Sequence, residues 1–267
     1  MTTTGDTGPR PRGHLAVLSA ADVAAHERQA REDAAAVRAS VAHVAAGRLD
    51  DALDVLSSLV AVPTTPVRQR AVAVYAGLCA QARHPAEGLA ALDAAAVVGG
   101  EPSALVLMLR AQLLRQAGRA VDAVVAARRA HELEPSVERA LVLCACLRDA
   151  ATLAEAKDAA NAALALAVDD ADRAACLGQL AAISATLGDL VGAREHLGTL
   201  DGLARPDDAA WYLHRAHALA HLGEADAARD AVGYARALDA MLCGAWLNDD
   251  VELSRFCAPA PAGLLAP

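Results

Sequence analysis

Apolar stretches with helical spacing alternate along this chain with short polar breaks, and the breaks share one pattern. In the clearest copies a glycine ends one apolar stretch, and an alanine five residues later belongs to the next. These copies are Gly47–Ala52, Gly118–Ala123, Gly188–Ala193 and Gly223–Ala228. A glycine after the last helical residue accommodates the left-handed turn that ends a helix, and polar residues then start the next helix. The pattern predicts pairs of helices joined by tight turns.

Two weaker copies of the same pattern begin at Arg83 and Ala151, and the first of them has Gly88 in place of the alanine. The six markers are then spaced 33 to 37 residues apart. A single helix pair cannot bury its apolar stripe, whereas stacked pairs share a continuous core. The sequence therefore predicts an all-α solenoid of about six units. The units are expected at about 33–68, 69–103, 104–136, 137–173, 174–208 and 209–242.

The best-formed unit, 104–137, resembles the tetratricopeptide repeat. The large apolar residues of its first helix are Leu107 and Leu114. Where the family usually has aromatic residues, this unit has Leu107, Leu114 and Ala127. The small residues, the turn and the closing proline fall where the family has them. These residues are Ala111, Ala123, Ala130, Gly118 and Pro135. Counted in this frame, the resemblance covers about four-fifths of the chain.

The resemblance implies a right-handed α-solenoid over residues 15–257. Residues 15–32 are expected to extend the first helix, and a polar-rimmed helix at 243–257 is expected to cap the last unit. The tails at 1–14 and 258–267 are expected to be disordered, since proline-rich segments without an apolar pattern bury little surface.

In the resembled family, the first helix of each unit lines a concave groove that holds a ligand. Its groove positions are the second, fifth, ninth, twelfth and thirteenth of the unit, and this sequence lacks the lysines and asparagines of a carboxylate clamp. Helix-in-groove binding of a peptide or amphipathic helix is the hypothesis for such a surface. The candidate partner-binding residues are Val37, Val41, Arg70, Gln81, Met108, Gln112, Arg115, Gln116, Leu141, Arg148, Leu213 and His217.

Among the groove residues, Arg115 and Arg148 are the strongest candidates for ligand binding, because two guanidinium groups can bind a carboxylate or phosphate. The alternative is that they are ordinary surface charges that Glu138 and Asp149 neutralise. The function predicted is a scaffold or adaptor that binds another protein. A regulator that changes shape on binding a peptide is the alternative.

Composition narrows the classes of partner. The chain has 55% hydrophobic but only 2% aromatic residues, and its formal net charge is −9 with a pI near 5.4. The arginines form no basic stripe with stacking aromatics, so nucleic acid is not expected as a partner.

Neither a signal peptide nor a membrane-spanning stretch is evident, and the expected location is the cytoplasm. The single lysine among 24 basic residues indicates a bacterial genome of high GC content.

Three histidines offer the sharpest chemical alternative. His214, His217 and His221 share one helix face, and the last two have the spacing of metal-chelating pairs. No acidic residue or cysteine completes a ligand set nearby in the sequence, so a metal-binding accessory role is the less favoured hypothesis and no cofactor is predicted. The six cysteines are expected to be reduced and buried. No catalytic motif is found, and the chain is not predicted to be an enzyme.

Overall fold

The computed structural model describes residues 20–61, 65–98, 101–203, 207–250 and 253–255. Within these ranges the regular elements are helices, which confirms the all-α prediction. The helices are α1 (Ala20–Ala45), α2 (Leu49–Val60), α3 (Pro66–Ala82), α4 (Pro85–Val98), α5 (Ala104–Gln116), α6 (Ala120–Leu133), α7 (Val137–Asp149), α8 (Leu153–Leu166), α9 (Asp170–Thr186), α10 (Leu190–Gly202), α11 (Ala209–His221), α12 (Ala225–Leu238) and α13 (Ala240–Asp249).

Successive helices pair as antiparallel neighbours, and each pair stacks on the next, which is the arrangement of a tetratricopeptide-like solenoid. The odd-numbered helices α3, α5, α7, α9 and α11 form one layer in which neighbours touch directly. We call them the first helices, and their partners the second helices. The predicted tails at 1–14 and 258–267 lie outside the described residues.

Five first helices begin at a side chain that caps them. The hydroxyl or carboxylate accepts a hydrogen bond from a backbone N–H of the first turn, which would otherwise lack a partner. This contact fixes where each first helix starts after the preceding loop. The capping residues are Thr65, Ser103, Ser136, Asp169 and Asp208.

The turn inside each pair is closed by the same hydrogen bonds. In the third unit, Gly118 N–H donates to the Arg115 carbonyl and Arg119 N–H to the Leu114 carbonyl. The turn residue has a positive φ in all six units. Among the described residues, positive φ occurs at six positions, which are the six markers found in the sequence: Gly47, Arg83, Gly118, Ala151, Gly188 and Gly223.

Small residues let the two helices of a unit approach closely. The alanine five residues after each turn is fully buried in five units, and these alanines are Ala52, Ala123, Ala156, Ala193 and Ala228. In the second unit Gly88 occupies this position, and a Cβ there would lie 2.8 Å from a methyl group of Leu113 and 3.0 Å from the Cβ of Cys79. The departure of this unit from the alanine pattern therefore has a packing cause.

A buried ion pair ties the first two units together. Asp33 of α1 accepts hydrogen bonds from Nε and Nη2 of Arg68 in α3, at 2.9 and 3.2 Å, and a third from Gln29. The hydrogen bonds from Arg68 lower the pKa of the Asp33 carboxyl despite its burial. Because the two helices belong to different units, the pair fixes their relative position.

Candidate functional site

A cavity of about 570 Å³ lies on the face made by the first helices. Four first helices end at it, and each contributes its last residue. These residues are Gln116 of α5, Asp149 of α7, Thr186 of α9 and His221 of α11. Each is the thirteenth residue of its unit in the sequence frame. We call this cavity the first-helix pocket, and its remaining lining includes side chains of α3, α8 and α13 or their ends.

The C-terminal ends of four helices place partial negative charge at the pocket. A helix C-terminus carries partial negative charge, which cations in the last turn offset. Arg115 and Arg148 lie in the last turns of α5 and α7 and line the pocket. Arg115 is paired with Asp149 across the two helices, with 3.5 Å between Nη1 and Oδ2. Part of the positive charge is therefore used inside the protein.

Arg148 begins a chain of hydrogen bonds across the pocket. Its Nη1 donates to the Oε1 atom of Gln179 at 2.7 Å and lies 3.0 Å from the Nε2 atom of His217. A guanidinium can only donate, so Nε2 accepts and the imidazole proton lies on Nδ1. The Nδ1 atom in turn lies 2.5 Å from the Oδ2 atom of Asp250, which accepts the hydrogen bond from Nδ1–H. Arg148, His217 and Asp250 thus join α7, α11 and the segment after α13.

The other two histidines of the stripe are held neutral at pH 7. Burial, and then the neighbouring His217, lower the pKa of His214 to about 3. Burial, followed by His217 and Arg148, also lowers the pKa of His221 to about 3. His214 contacts the ring of Trp246 edge-on, with centroids 4.8 Å apart, and Nδ1 of His221 lies 3.1 Å from the hydroxyl of Thr186.

The arrangement of these histidines does not support the hypothesis of a metal site. Both ring nitrogens of His217 are engaged, with Arg148 and Asp250. In the part of the chain that the structure describes, no group of three or more His, Cys, Asp or Glu side chains is arranged to hold a metal ion.

The structure brings together a third of the predicted partner-binding residues. Arg115, Gln116, Arg148 and His217 line the first-helix pocket. Met108 and Leu213 are buried instead, since Met108 packs with Leu107 and Ala130 while Leu213 belongs to the core of the last two units. The others lie outside the pocket, on α1 or elsewhere along the first helices: Val37, Val41, Arg70, Gln81, Gln112 and Leu141.

Sequence reasoning did not place four of the lining residues at a binding site: Arg83, Thr186, Trp246 and Asp250. Thr186 occupies the thirteenth position of its unit, so the repeat frame could have found it. Arg83 is a turn residue, and Trp246 and Asp250 follow the last repeat, where the frame gives no signal. Only their contacts in the folded chain place them at the pocket.

The five cysteines that the structure describes do not line the pocket. Cys79, Cys144, Cys146, Cys176 and Cys243 are buried and unpaired, while Cys257 lies outside the described residues. Burial raises the pKa of Cys79 and Cys176 to about 11, and of Cys144 and Cys146 to about 12. These four are protonated at neutral pH and are packed as small apolar groups.

No helix in the described ranges is long and apolar enough to cross a membrane. No family model matches the sequence, and no curated protein matches it. Similarity is found among solved structures.

A chain of the APC/C hetero-tetramer Cut9-Hcn1 is 14% identical with a TM-score of 0.58; the match covers 86% of this chain and 43% of that one, so this chain spans less than half of its length. PilF of Pseudomonas aeruginosa is 16% identical with a TM-score of 0.53, and the match covers 85% of this chain and 96% of that chain. With the repeated turns and the stacked helix pairs, these likenesses show that the chain has the fold of tetratricopeptide repeat proteins.

Proposed function

We propose that this chain is an adaptor that binds a peptide or an amphipathic helix of a partner protein on its first-helix face. The tetratricopeptide-repeat fold is that of a protein-interaction scaffold in general. The observation that supports a binding role for this face is the convergence of four helix ends on one cavity with polar walls. A cavity with a few convergent polar groups is the usual form of a binding site.

The composition of the pocket wall defines what fits. Arg115, Arg148 and Gln179 line the cavity with side chains that can donate hydrogen bonds, while the amide of Gln116 donates to the Ala80 carbonyl. The apolar Met108 and Leu213 are buried away from the cavity. A partner segment is therefore expected to place polar or acidic groups in the pocket and to lay its apolar side along the remaining surface of the first helices. The formal charge of −9 and the protein-binding fold favour a protein over nucleic acid as the partner.

Selection from a displayed library of random peptides tests this proposal. Peptides that bind the wild-type protein are titrated against an Arg115→Glu/Arg148→Glu variant. The matched control is an Arg119→Glu/Arg128→Glu variant, which makes the same charge change at two exposed second-helix pairs, with Asp122 and Glu155. Thermal melts followed by circular dichroism verify that both variants are folded.

We expect the pocket variant to weaken binding by about tenfold or more, because each reversal places a carboxylate where the ligand needs a donor. The control is expected to bind as the wild type does. Equal loss in both variants, or a loss only in the control, would place the binding surface elsewhere and overturn the proposal.

A further inference from the structure

The segment that follows the sixth unit lies against the first-helix face. Helix α13 is anchored by Cys243, which is fully buried in the core of the last two units, and Leu253 is buried there as well. Between these anchors, Trp246 packs on His214 and Asp250 bonds to His217. The segment thereby presents an aromatic ring and a carboxylate, about one helical turn apart, to helix α11.

The same segment reaches a distant part of the solenoid. The carbonyl oxygen of Asn248 accepts a hydrogen bond of 2.5 Å from Nη1 of Arg83, at the turn between α3 and α4. The two residues are 165 positions apart in the chain. In a solenoid each unit contacts its neighbours, so the second unit and the end of the chain meet because the stack curves and brings them together. Residues 246–250 therefore contact both the sixth unit and the second unit, on either side of the pocket.

The carboxylate of Asp250 lies in a binding site formed by side chains of two first helices, α7 and α11. Its side chain is 14% exposed and His217 only 3%, so both groups are largely removed from water. Burial alone would raise the pKa of Asp250, yet the hydrogen bond from His217 and the charge of Arg148 lower it overall. Arg148 fixes the imidazole proton on the nitrogen that faces the carboxylate. These contacts place an imidazole N–H at the carboxylate oxygen and a guanidinium charge behind the imidazole, which favours an acceptor with negative charge.

We infer that residues 246–250 act as an internal ligand of the first-helix face, where Trp246 and Asp250 form one wall of the first-helix pocket, and that the partner is a protein segment of the same chemistry. Such a segment carries an aromatic side chain about one helical turn before an aspartate or glutamate. This inference rests on the proposed function, and it names the partner class and the competitor that the partner displaces. A tethered segment competes at an effective concentration of about millimolar, so the partner binds only when it is tighter or when the segment is released.

The segment is held by a small number of contacts and lies at the end of the helical stack. Terminal elements with few contacts are the least stable parts of a fold and open first. Breaking the bond between His217 and Asp250 is therefore expected to release residues 246–250 while the repeats stay folded.

The test uses the full chain and a labelled synthetic peptide with the sequence of residues 240–255. Binding is measured by fluorescence anisotropy with the wild type, an Asp250→Asn variant and a matched Asp226→Asn control. Asp226 is an exposed aspartate on α12 whose partner is Arg229. Hydrogen exchange of residues 240–250 is measured in each protein to show whether the segment has been released.

We expect faster exchange at 240–250 in Asp250→Asn and binding of the peptide at least about tenfold tighter than in the wild type, with the control unchanged. A peptide carrying Trp246→Ala and Asp250→Asn is expected to lose this binding. Unchanged exchange, or a released segment without tighter peptide binding, would overturn the inference. Peptides selected from the library would still bind in an Arg115- and Arg148-dependent manner if only this inference failed, which separates it from failure of the proposed function.

Discussion

Two of the six tight turns place a side chain where the backbone favours glycine. Arg83 and Ala151 have φ values of 59° and 58°, whereas the other four turns have glycine at 72° to 81°. The left-handed conformation brings Cβ close to the following carbonyl and costs roughly 1–2 kcal/mol for an ordinary residue. At Arg83 the side chain also bonds to Asn248. The side chain of Ala151 has no polar group, so its turn carries the strain without such a contact.

Ala151→Gly is therefore expected to stabilise the protein. Relief of the left-handed strain exceeds the entropy that glycine adds to the unfolded chain, which leaves a gain of about 0.5–1 kcal/mol in the free energy of unfolding. Urea denaturation measures this change. The neighbouring Ala150→Gly, at a φ of −82°, is the control and is expected to lower stability. A gain of equal size in both variants would contradict the strain argument.

At the scale of helices, the distance between the two members of a unit is set by alanines. In the third unit Ala123 of α6 is fully buried, and so is Ala111 of α5. Close packing leaves no void for a larger side chain at such a contact. The position of each first helix, and with it the shape of the pocket, depends on these small residues.

Ala123→Leu tests this dependence. The three added carbons must force α5 and α6 apart, and we expect a loss of roughly 1–3 kcal/mol in the free energy of unfolding. The control is Val121→Leu on the same helix, where the side chain is 74% exposed and an added methylene has room. Chemical denaturation of the two variants gives the comparison. An unchanged midpoint for Ala123→Leu would mean that the two helices are not packed through this residue.

The helices and their turns could be predicted because the interactions that specify them are local. A left-handed turn, a capping side chain and a buried alanine each need a particular type of residue within a few positions of the sequence. Gly118 at a turn and Ser103 at a helix start are examples. Arg115 and Arg148 of the pocket followed from the same repeat frame. The contact between Arg83 and Asn248 could not be predicted, since residues so far apart meet only through the cumulative curvature of the stack.

At the scale of the whole molecule, the last unit and the segment after it contain a concentration of buried imidazole. His214 and His221 both have a pKa lowered to about 3, with burial as the largest cause. In the unfolded chain a histidine titrates near 6.5. The unfolded state therefore binds more protons than the folded state between pH 6.5 and about 3. The stability that these histidines contribute is present above pH 6.5 and is lost as the pH falls through this window.

Two aspartates change the stability of the protein at a lower pH than the histidines do. Asp33 and Asp250 have pKa values below that of an unfolded aspartate, so their contribution is present above about pH 4 and is lost only below it. Between pH 6.5 and 4.5 the change in stability is expected to come from His214 and His221. His196, whose pKa burial also lowers, adds to the effect in the same direction.

We expect the free energy of unfolding to fall between pH 7.5 and 5.5 by on the order of 1 kcal/mol for each of His214 and His221, because a full pH unit below the unfolded pKa corresponds to about 1.4 kcal/mol. Urea denaturation at the two pH values measures the fall. A His214→Asn/His221→Gln variant cannot take up these protons, so its stability at neutral pH is lower but changes less with pH. An equal fall in variant and wild type would show that other groups carry the acid sensitivity. Since His214 contacts Trp246 and His221 lines the pocket, the same protonation is expected to loosen residues 246–250 before the remaining units unfold.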